Sequence, residues 1–208
     1  MKRILLLGAT GRLGQVLVEH LLKKQYQVTA LVRSPQKLSS KTNLTILSGD
    51  VTSQEDLEHA LKDVDVVIST LGHGFRTKYP IQKLMLEALI PLLEKKKIRR
   101  FITITGSGML TKEDPKSVFA EGMEGLISLI DPYRMQDSKD QQKLLEKSDL
   151  EWTVVRTPIH NGSIQEKVTY VGLAQPPVWE TVSRTAIAEF ITECIEKDEW
   201  VRKSPIIY

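Results

Sequence analysis

Cysteine is almost absent from the sequence, whose 208 residues contain one, Cys194, together with four histidines. One thiol cannot form an internal disulfide, and the Cys and His residues do not recur at the spacings of a metal site. Cys194 lies at helical spacing from Ile187, Phe190 and Ile191, so we expect it to be buried and unreactive. The sequence therefore predicts no disulfide, no metal centre and no thiol chemistry.

Long apolar runs are also missing. The run at residues 4–7 is ended by Gly8, too early for a secretory signal, and no stretch approaches the length of a membrane span. The net charge is only +3, and the densest basic run, residues 95–100, begins at the end of an amphipathic helix, where cations complement the helix dipole. We therefore expect a cytoplasmic protein with no membrane partner and no nucleic-acid partner.

Short apolar runs alternate with amphipathic segments along the chain. Six runs are apolar at successive positions and rich in leucine or β-branched residues, at residues 3–7, 28–32, 44–48, 65–69, 100–105 and 152–156. Such runs are typical of strands buried on both faces, which parallel sheets require. We predict an α/β fold with a doubly wound, mostly parallel sheet (Rossmann fold), in one domain over residues 1–208. Segments at about 107–135 and 158–182 lack a regular period, so irregular structure is expected there, on the substrate side.

Three glycines, Gly8, Gly11 and Gly14, join the first predicted strand to the first predicted helix. In a dinucleotide-binding turn the first glycine permits the tight turn, the second lets the backbone approach a pyrophosphate, and the third lets the helix pack against the strand. The helix N-terminus then presents free N–H groups to the phosphates. Because the motif opens an alternating pattern of strands and helices, it predicts a dinucleotide site rather than a glycine-rich turn without a ligand.

Acidic residues are absent from residues 20–49, the interval in which an NAD site has an acid for the ribose hydroxyls. The end of the second predicted strand instead has Arg33, followed by Ser34 and Lys37, and Arg12 of the glycine motif can point toward the same ribose. Arginine binds phosphate through a bidentate fork, and lysine adds a point charge. The cluster predicts NADP as the cofactor; the alternative is a set of exposed surface cations.

The ends of the later strands carry small or polar residues. Asp50 follows the third predicted strand and can accept a hydrogen bond from an adenine amino group, whereas residues 69–72 and 105–107 leave room for a flat ligand. The carboxyl ends of parallel strands form the ligand-binding edge of this architecture. His73 and His160 follow two of these strands, and each is expected to be a loop histidine rather than a catalytic residue.

Several stretches together resemble a known family. GATGRLG, LVRSPQKL, GDV, TGSG and SDLEWTVVR are similar to the atypical short-chain dehydrogenase/reductases of the NAD(P)H-binding, NmrA-like group, and within it to the biliverdin reductase B (flavin reductase) type. The ending, from residue 183 onward, is similar too. The resemblance implies the fold and the cofactor. It leaves the substrate open, because the group includes reductases, epimerase-like enzymes and regulators that do no chemistry.

The resemblance also implies cofactor contacts. The residues implied are Gly8, Thr10, Gly11, Arg12, Leu13 and Gly14 for the turn and the phosphates, Arg33, Ser34 and Lys37 for the 2′-phosphate, Asp50 and Val51 for the adenine, and Leu71, Gly72, Thr105, Gly106 and Ser107 for the riboses. Ser107 also matches an active-site serine of the flavin reductase type, which makes it the first catalytic candidate.

The chain departs from many short-chain dehydrogenases at their Tyr-x-x-x-Lys pair, in which the phenol exchanges a proton with a substrate oxygen. Tyr133 is followed four residues later by Asp137 instead of lysine. If Lys139 is aligned with the family lysine, the tyrosine position is Met135. Lys139 is the second catalytic candidate, and the usual acid–base pair is not expected.

These observations lead to one hypothesis and two alternatives. We predict an NADPH-dependent oxidoreductase that reduces a small planar or conjugated acceptor, of the flavin or quinone type, by direct hydride transfer. The alternatives are a non-catalytic NADP(H)-binding regulator and an epimerase-like enzyme. The epimerase is the weaker alternative, because its chemistry needs the acid–base tyrosine that is missing at the expected position. The partner is expected to be a small-molecule substrate, and the protein is expected to be a monomer or a weak homodimer.

Overall fold

The computed structural model describes residues 2–72, 78–161, 167–174 and 180–208. Strands and helices alternate along most of this length. Their bounds are β1 Arg3–Leu7, α1 Arg12–Lys23, β2 Gln27–Val32, β3 Leu44–Ser48, α2 Gln54–Ala60, β4 Val66–Ser69, α3 Ile81–Lys96, β5 Arg100–Gly106, α4 Val118–Ile130, α5 Pro132–Lys147, β6 Glu151–Thr157, β7 Ile159–Asn161, β8 Val171–Gly172, β9 Thr181–Ser183, α6 Arg184–Glu196 and β10 Ile206–Ile207. His73, which the sequence singled out, lies outside the described residues.

Eight strands form one sheet in the order β3-β2-β1-β4-β5-β6-β10-β8. Within the described ranges, neighbouring strands of this sheet are parallel from β3 through β10, and β8 alone is antiparallel to its neighbour. The strand order reverses between β1 and β4, because the chain builds outward from β1 to β3 and then from β4 to β6 on the other side. The doubly wound, mostly parallel fold is therefore confirmed, and all six predicted strands are present.

Helices cover both faces of the sheet because its central strands are apolar at successive positions. In β1, Ile4 and Leu6 pack in the layer that contains α1 and α6, whereas Leu5 and Leu7 pack in the layer that contains α2, α3 and α5. These four side chains are at most 1% exposed. Cys194 of α6 lies in the first layer, and burial raises the pKa of its thiol to about 12, as expected for an unreactive cysteine.

Two segments differ from the irregular structure expected at residues 107–135 and 158–182. Helix α4 occupies Val118–Ile130 and α5 begins at Pro132, so helices cover most of the first segment. In the described part of the second segment, β7 and β9 form a separate two-stranded parallel sheet, and β8 joins the edge of the main sheet. The helical period of α4 is present in the sequence, because its apolar residues fall on one half of the helix and Glu121, Glu124 and Ser128 fall on the other.

No helix within the described ranges is long and apolar enough to cross a bilayer. The same part of the chain contains no group of three or more His, Cys, Asp or Glu side chains arranged to hold a metal ion.

Candidate functional site

A cleft of about 730 Å³ opens at the carboxyl edge of the sheet. It extends from the N-terminus of α1 across the ends of β4 and β5 to the segment after β6, and α4 contributes an apolar wall. Eight residues predicted for the site line it: Gly11, Arg12, Leu13, Leu71, Gly72, Thr105, Gly106 and Ser107. The other predicted cofactor-binding residues lie between β1 and the first turn of α1 or follow β2 and β3.

The turn between β1 and α1 depends on its glycines. Gly8 has a φ of +85°, a left-handed conformation that favours glycine. Its carbonyl oxygen accepts a hydrogen bond from the Gly11 N–H at 3.0 Å. A Cβ on Gly14 would lie 2.2 Å from the same oxygen, so glycine is needed for α1 to begin this close to β1. A Cβ on the exposed Gly11 would meet nothing nearer than that oxygen, at 3.2 Å.

The N-terminus of α1 differs from those of the other helices in the described part of the chain. In each of the other five, a side-chain oxygen accepts a hydrogen bond from an N–H of the first turn: Ser53 for α2, Asp137 for α3, Ser117 for α4, Asp131 for α5 and Ser183 for α6. Helix α1 follows Gly11 with no such acceptor and no acid in its first turn. Its free N–H groups and the positive end of its dipole therefore fit a pyrophosphate.

Cations flank this helix end and the end of β2. Arg12, Arg33 and Lys37 are exposed, and none of them forms an ion pair with another described residue. Ser34 precedes the single 3-10 turn that contains Lys37. Unpaired cations at these positions fit the extra phosphate of NADP, because they can bind it without first breaking an ion pair.

Asp50 opens the loop after β3. One of its carboxylate oxygens accepts hydrogen bonds from the N–H and the hydroxyl of Thr52, at 2.8 and 2.7 Å. These bonds lower the pKa of Asp50, and the charge of Arg33 lowers it further, so the side chain is ionised at neutral pH. The second oxygen can accept a hydrogen bond from an adenine amino group. The adjacent Val51 is buried in the core.

Small residues and hydroxyl groups line the cleft where β4 and β5 end. A Cβ on Gly72 or Gly106 would have no atom of the described residues within 4 Å. The Ser107 N–H donates to the carbonyl oxygen at the end of β6, at 2.8 Å, and the Thr105 hydroxyl donates to the Ser138 hydroxyl oxygen, also at 2.8 Å. This part of the cleft therefore has room for a flat ligand beside fixed polar groups.

A buried ion pair holds the segment that follows Ser107. Arg156 of β6 is fully buried, and both of its terminal guanidinium nitrogens donate to the Asp114 carboxylate. The same guanidinium donates to the carbonyl oxygens of Met109 and Ser204, at 2.8 Å each. One side chain thereby ties the loop after β5 to β6 and to the segment before β10.

His160 of β7 lines the cleft, although the sequence interpretation treats it as a loop histidine. Its Nε2 lies 2.7 Å from the Thr157 hydroxyl oxygen. Burial lowers the pKa of His160 to about 4, and the charges of Arg184, Arg12 and Arg134 lower it as well. The imidazole is therefore neutral at pH 7.

The sequence interpretation misses the far end of the cleft. Arg134 of α5 and Arg184 of α6 line it, and neither forms an ion pair with another described residue. Helix α4 adds Phe119, Met123 and Ile127, which recur at the four-residue spacing of one helix face. That spacing is visible in the sequence, whereas the two arginines approach each other only through the tertiary fold.

The Tyr–Lys candidates do not line the cleft. Tyr133 is 42% exposed, and the ammonium nitrogen of Lys78 lies 5.6 Å from the centroid of its ring. Asp137 is buried and accepts hydrogen bonds from two N–H groups of the first turn of α3, at 2.9 and 2.8 Å. Lys139 pairs with Glu124, with 3.2 Å between Nζ and Oε1. Neither alignment brings a tyrosine and a lysine together in the cleft.

Two curated relatives match the chain over different lengths. An isoflavone reductase homologue, A622, from Nicotiana tabacum is 42% identical over 80 residues, which cover 34% of this chain and 26% of that protein. The photosystem II assembly factor Ycf39 from Synechocystis is 25% identical in an alignment 220 positions long, which covers 99% of this chain and 62% of that protein. The matched regions thus span less than two thirds of either relative.

A solved structure has the same fold. It is a short-chain dehydrogenase/reductase (wide type) from Veillonella parvula in complex with NADP, with a TM-score of 0.80 and 20% identity, over 99% of this chain and 94% of that chain. The sequence profile of the family described as NAD(P)H-binding matches residues 8–198. Since that match spans most of the chain and includes the glycine turn, the predicted fold and cofactor class are confirmed, and the protein belongs to the NAD(P)H-binding family.

Proposed function

We propose that the protein is an NADPH-dependent reductase that transfers hydride to a small conjugated acceptor of the flavin or quinone type. The observation that carries this proposal is the N-terminus of α1, which has neither a side-chain cap nor an acid and opens onto a cleft with an apolar wall. The names of the relatives, a reductase homologue and a dehydrogenase/reductase, agree with a redox reaction. NADPH, when bound, supplies the hydride.

The residues of the chain hold the cofactor by charge and by shape. The first-turn N–H groups of α1 receive the pyrophosphate because no side chain competes for them. Arg33, Ser34 and Lys37 receive the 2′-phosphate together with Arg12, and Asp50 accepts from the adenine amino group. Thr105 and Ser107 contact the ribose beside the nicotinamide. This assignment predicts a preference for NADPH over NADH.

Arg33→Asp is expected to weaken NADPH binding at least tenfold, since it replaces a phosphate-binding cation with a carboxylate. Tenfold corresponds to about 1.4 kcal/mol, which one charge-assisted contact can supply. NADH binding is expected to stay nearly unchanged, and fluorescence titration of both cofactors measures the difference. Lys62→Asp, at an exposed position after α2, makes the same change in net charge and serves as the control. Equal dissociation constants of the two cofactors for the unmodified protein would contradict the assignment.

The acceptor is inferred from what the cleft lacks. Reduction of a ketone needs a positioned acid, because an alkoxide is too basic to form unaided at neutral pH. The described lining of the cleft has no Tyr–Lys pair, and the pKa of His160, about 4, keeps that residue neutral. A flavin or quinone spreads the new charge over a conjugated system, so water can protonate it later. The positive charges of Arg134 and Arg184 outnumber the single acid of the described lining, Glu180, and stabilise that charge as it develops.

Steady-state oxidation of NADPH with a panel of flavins, quinones and simple ketones tests the reaction. We expect turnover of the conjugated acceptors alone. Tyr133→Phe is expected to leave the rate nearly unchanged, because the phenol lies outside the cleft. Ser107→Ala is expected to lower the rate about fivefold, the equivalent of one hydrogen bond of about 1 kcal/mol. Efficient turnover of an unconjugated ketone, lost in Tyr133→Phe, would show that the acid has been misassigned.

A non-catalytic NADP(H) sensor is the second candidate. The observation that favours it is Asp137, which occupies the lysine position of the Tyr-x-x-x-Lys pair and serves as a buried helix cap. Reductase and sensor both require NADPH binding. Tight binding without turnover of any acceptor in the panel favours the sensor, and turnover favours the reductase.

A further inference from the structure

Helix α4 presents an apolar face to solvent. The large apolar side chains of this outer face are 45–89% exposed: Val118, Phe119, Leu126, Leu129 and Ile130. At about 100° of rotation per residue they fall, together with Gly122, within one sector of about 120°. Met123 and Ile127 occupy the neighbouring sector and line the cleft. The outer face is therefore a continuous apolar stripe that no described element covers.

Five of the seven exposed large apolar residues of the described chain lie on this face. The others are Tyr79 and Tyr133, and the contact between the Lys78 ammonium and the Tyr133 ring connects residues 78–79 to the start of α5. Isolated exposed apolar residues are ordinary, whereas a contiguous group marks an interaction surface. The outer face of α4 is therefore expected to be an interaction surface.

The unpaired charges that border the outer face are mostly positive. Lys112 and Lys116 precede α4, and Arg134 follows it; all three are exposed, and none is paired with another described residue. On α4 itself, Glu121 is exposed and likewise unpaired within the described ranges. The border thus presents three free cations and one free acid.

Two nearby acids are already neutralised. Glu113 accepts a hydrogen bond from the Lys203 ammonium at 2.6 Å, and Glu124 pairs with Lys139. They therefore subtract little from the positive charge that borders the outer face, and an anionic partner is favoured.

We propose that the outer face of α4 docks the protein on the surface of an anionic lipid bilayer. Helices that lie in the membrane interface combine an aliphatic and aromatic stripe with lysine and arginine, and anionic headgroups attract those cations. A second copy of the chain fits less well. In a two-fold antiparallel pairing of α4, Lys116 before one helix would approach Arg134 after the other, and like charges would meet.

This docking does not rest on the proposed reaction, although Arg134 and Phe119 also line the cleft, and it differs from the expectation of no membrane partner. That expectation rested on the absence of long apolar runs, and a helix lying in the interface needs none. Phe119 belongs to both the outer face and the lining of the cleft. The docked protein therefore opens its cleft beside the bilayer.

Co-sedimentation with lipid vesicles tests the docking. We expect the full chain to bind vesicles that contain about one third phosphatidylglycerol at least tenfold more strongly than vesicles of phosphatidylcholine alone. Raising the salt concentration about fivefold is expected to weaken that binding, because the attraction between exposed charges is screened. Equal binding to both kinds of vesicle, or no binding to either, would overturn the proposal.

Variants of the outer face identify the surface that binds. Leu129→Glu and Val118→Glu, at positions 82% and 89% exposed, are each expected to reduce vesicle binding at least about tenfold. NADPH binding should be unchanged in both, which verifies the fold. Gln54→Glu adds the same charge at an exposed position of α2 and should bind vesicles like the unmodified protein.

A second copy of the chain, the competing occupant of the outer face, would give a different result. Vesicle binding that persists in both outer-face variants would overturn the proposal, because the surface responsible would then lie elsewhere. If sedimentation equilibrium shows a dimer that Leu129→Glu dissociates, and vesicles are not bound, the outer face is an interface between two copies and the lipid proposal is wrong.

Discussion

Gly11→Val is expected to abolish cofactor binding and to leave the fold intact. Gly11 has a φ of −73° and a ψ of 163°, an extended conformation that valine adopts readily, and its Cβ would have only the Gly8 carbonyl oxygen nearby. The new side chain would occupy the space before the first turn of α1 that a pyrophosphate needs. We expect a loss of at least about 100-fold in NADPH affinity, or ~2.8 kcal/mol, by calorimetric titration.

Gly14→Val is the matched comparison. Its Cβ would lie 2.2 Å from the Gly8 carbonyl oxygen, so the substitution forces α1 away from β1. We expect this protein to lose stability, with a clearly lower midpoint of thermal unfolding, whereas Gly11→Val, at the N-cap of α1 and with its Cβ 3.2 Å from the same oxygen, should lose only about 1 kcal/mol. Normal NADPH binding by Gly11→Val would mean that the phosphates bind elsewhere.

Asp114→Asn is expected to destabilise the protein by about 3–5 kcal/mol, because it leaves the buried guanidinium of Arg156 without its counter-charge. Arg156 cannot turn to water, since it is fully buried and also bonded to the carbonyl oxygens of Met109 and Ser204. Urea unfolding followed by circular dichroism measures the loss. Because the same pair anchors the loop after Ser107, catalytic or binding activity is expected to fall as well.

The neighbouring residue provides the control. Glu113→Gln makes the same chemical change in an ion pair with Lys203 whose side chains are 45% and 48% exposed. An exposed pair contributes at most about 1 kcal/mol, so this variant should unfold almost like the unmodified protein. Similar losses of unfolding free energy in the two variants would show that burial of the Arg156 guanidinium does not determine the size of the loss.

The sheet could be predicted from the sequence because its central strands are buried on both faces. ILLL, residues 4–7 of β1, is an unbroken apolar run, and the glycine turn after it has a steric requirement that no other residue meets at Gly8 and Gly14. These local signals identify which stretches of the chain form the end of the cleft that is predicted to bind the cofactor. The eight predicted residues that line the cleft, of which Gly11 is the first and Ser107 the last, accordingly lie at one edge of the sheet.

Helix α4 could not be predicted with equal clarity. Its Phe119, Met123 and Ile127 face the cleft while Val118 and Leu129 face solvent, so the apolar side covers about half of the helix. Gly122 and Gly125 lower the helix propensity of the segment, which favours the irregular structure that was expected there.

The sequence analysis missed the far end of the cleft, which is proposed to bind the acceptor, for a different reason. Arg134 and Arg184 are fifty residues apart in the sequence and meet at the cleft through packing of α5 and α6 on opposite layers. Nothing local to either arginine indicates this meeting. Lys139 shows the converse, because alignment with the family lysine made it a catalytic candidate, whereas its ammonium pairs with Glu124.

Asp137 constrains the chemistry that substitutions can give the chain. One substitution, to lysine, would recreate the Tyr-x-x-x-Lys spacing with Tyr133, yet it would also strip the Gln82 and Lys83 N–H groups of their acceptor and bury a cation at the positive end of α3. A tyrosine–lysine pair at positions 133 and 137 is therefore excluded unless α3 acquires another cap first. Substitutions in the walls of the cleft can change its chemistry more readily than this pair can be installed.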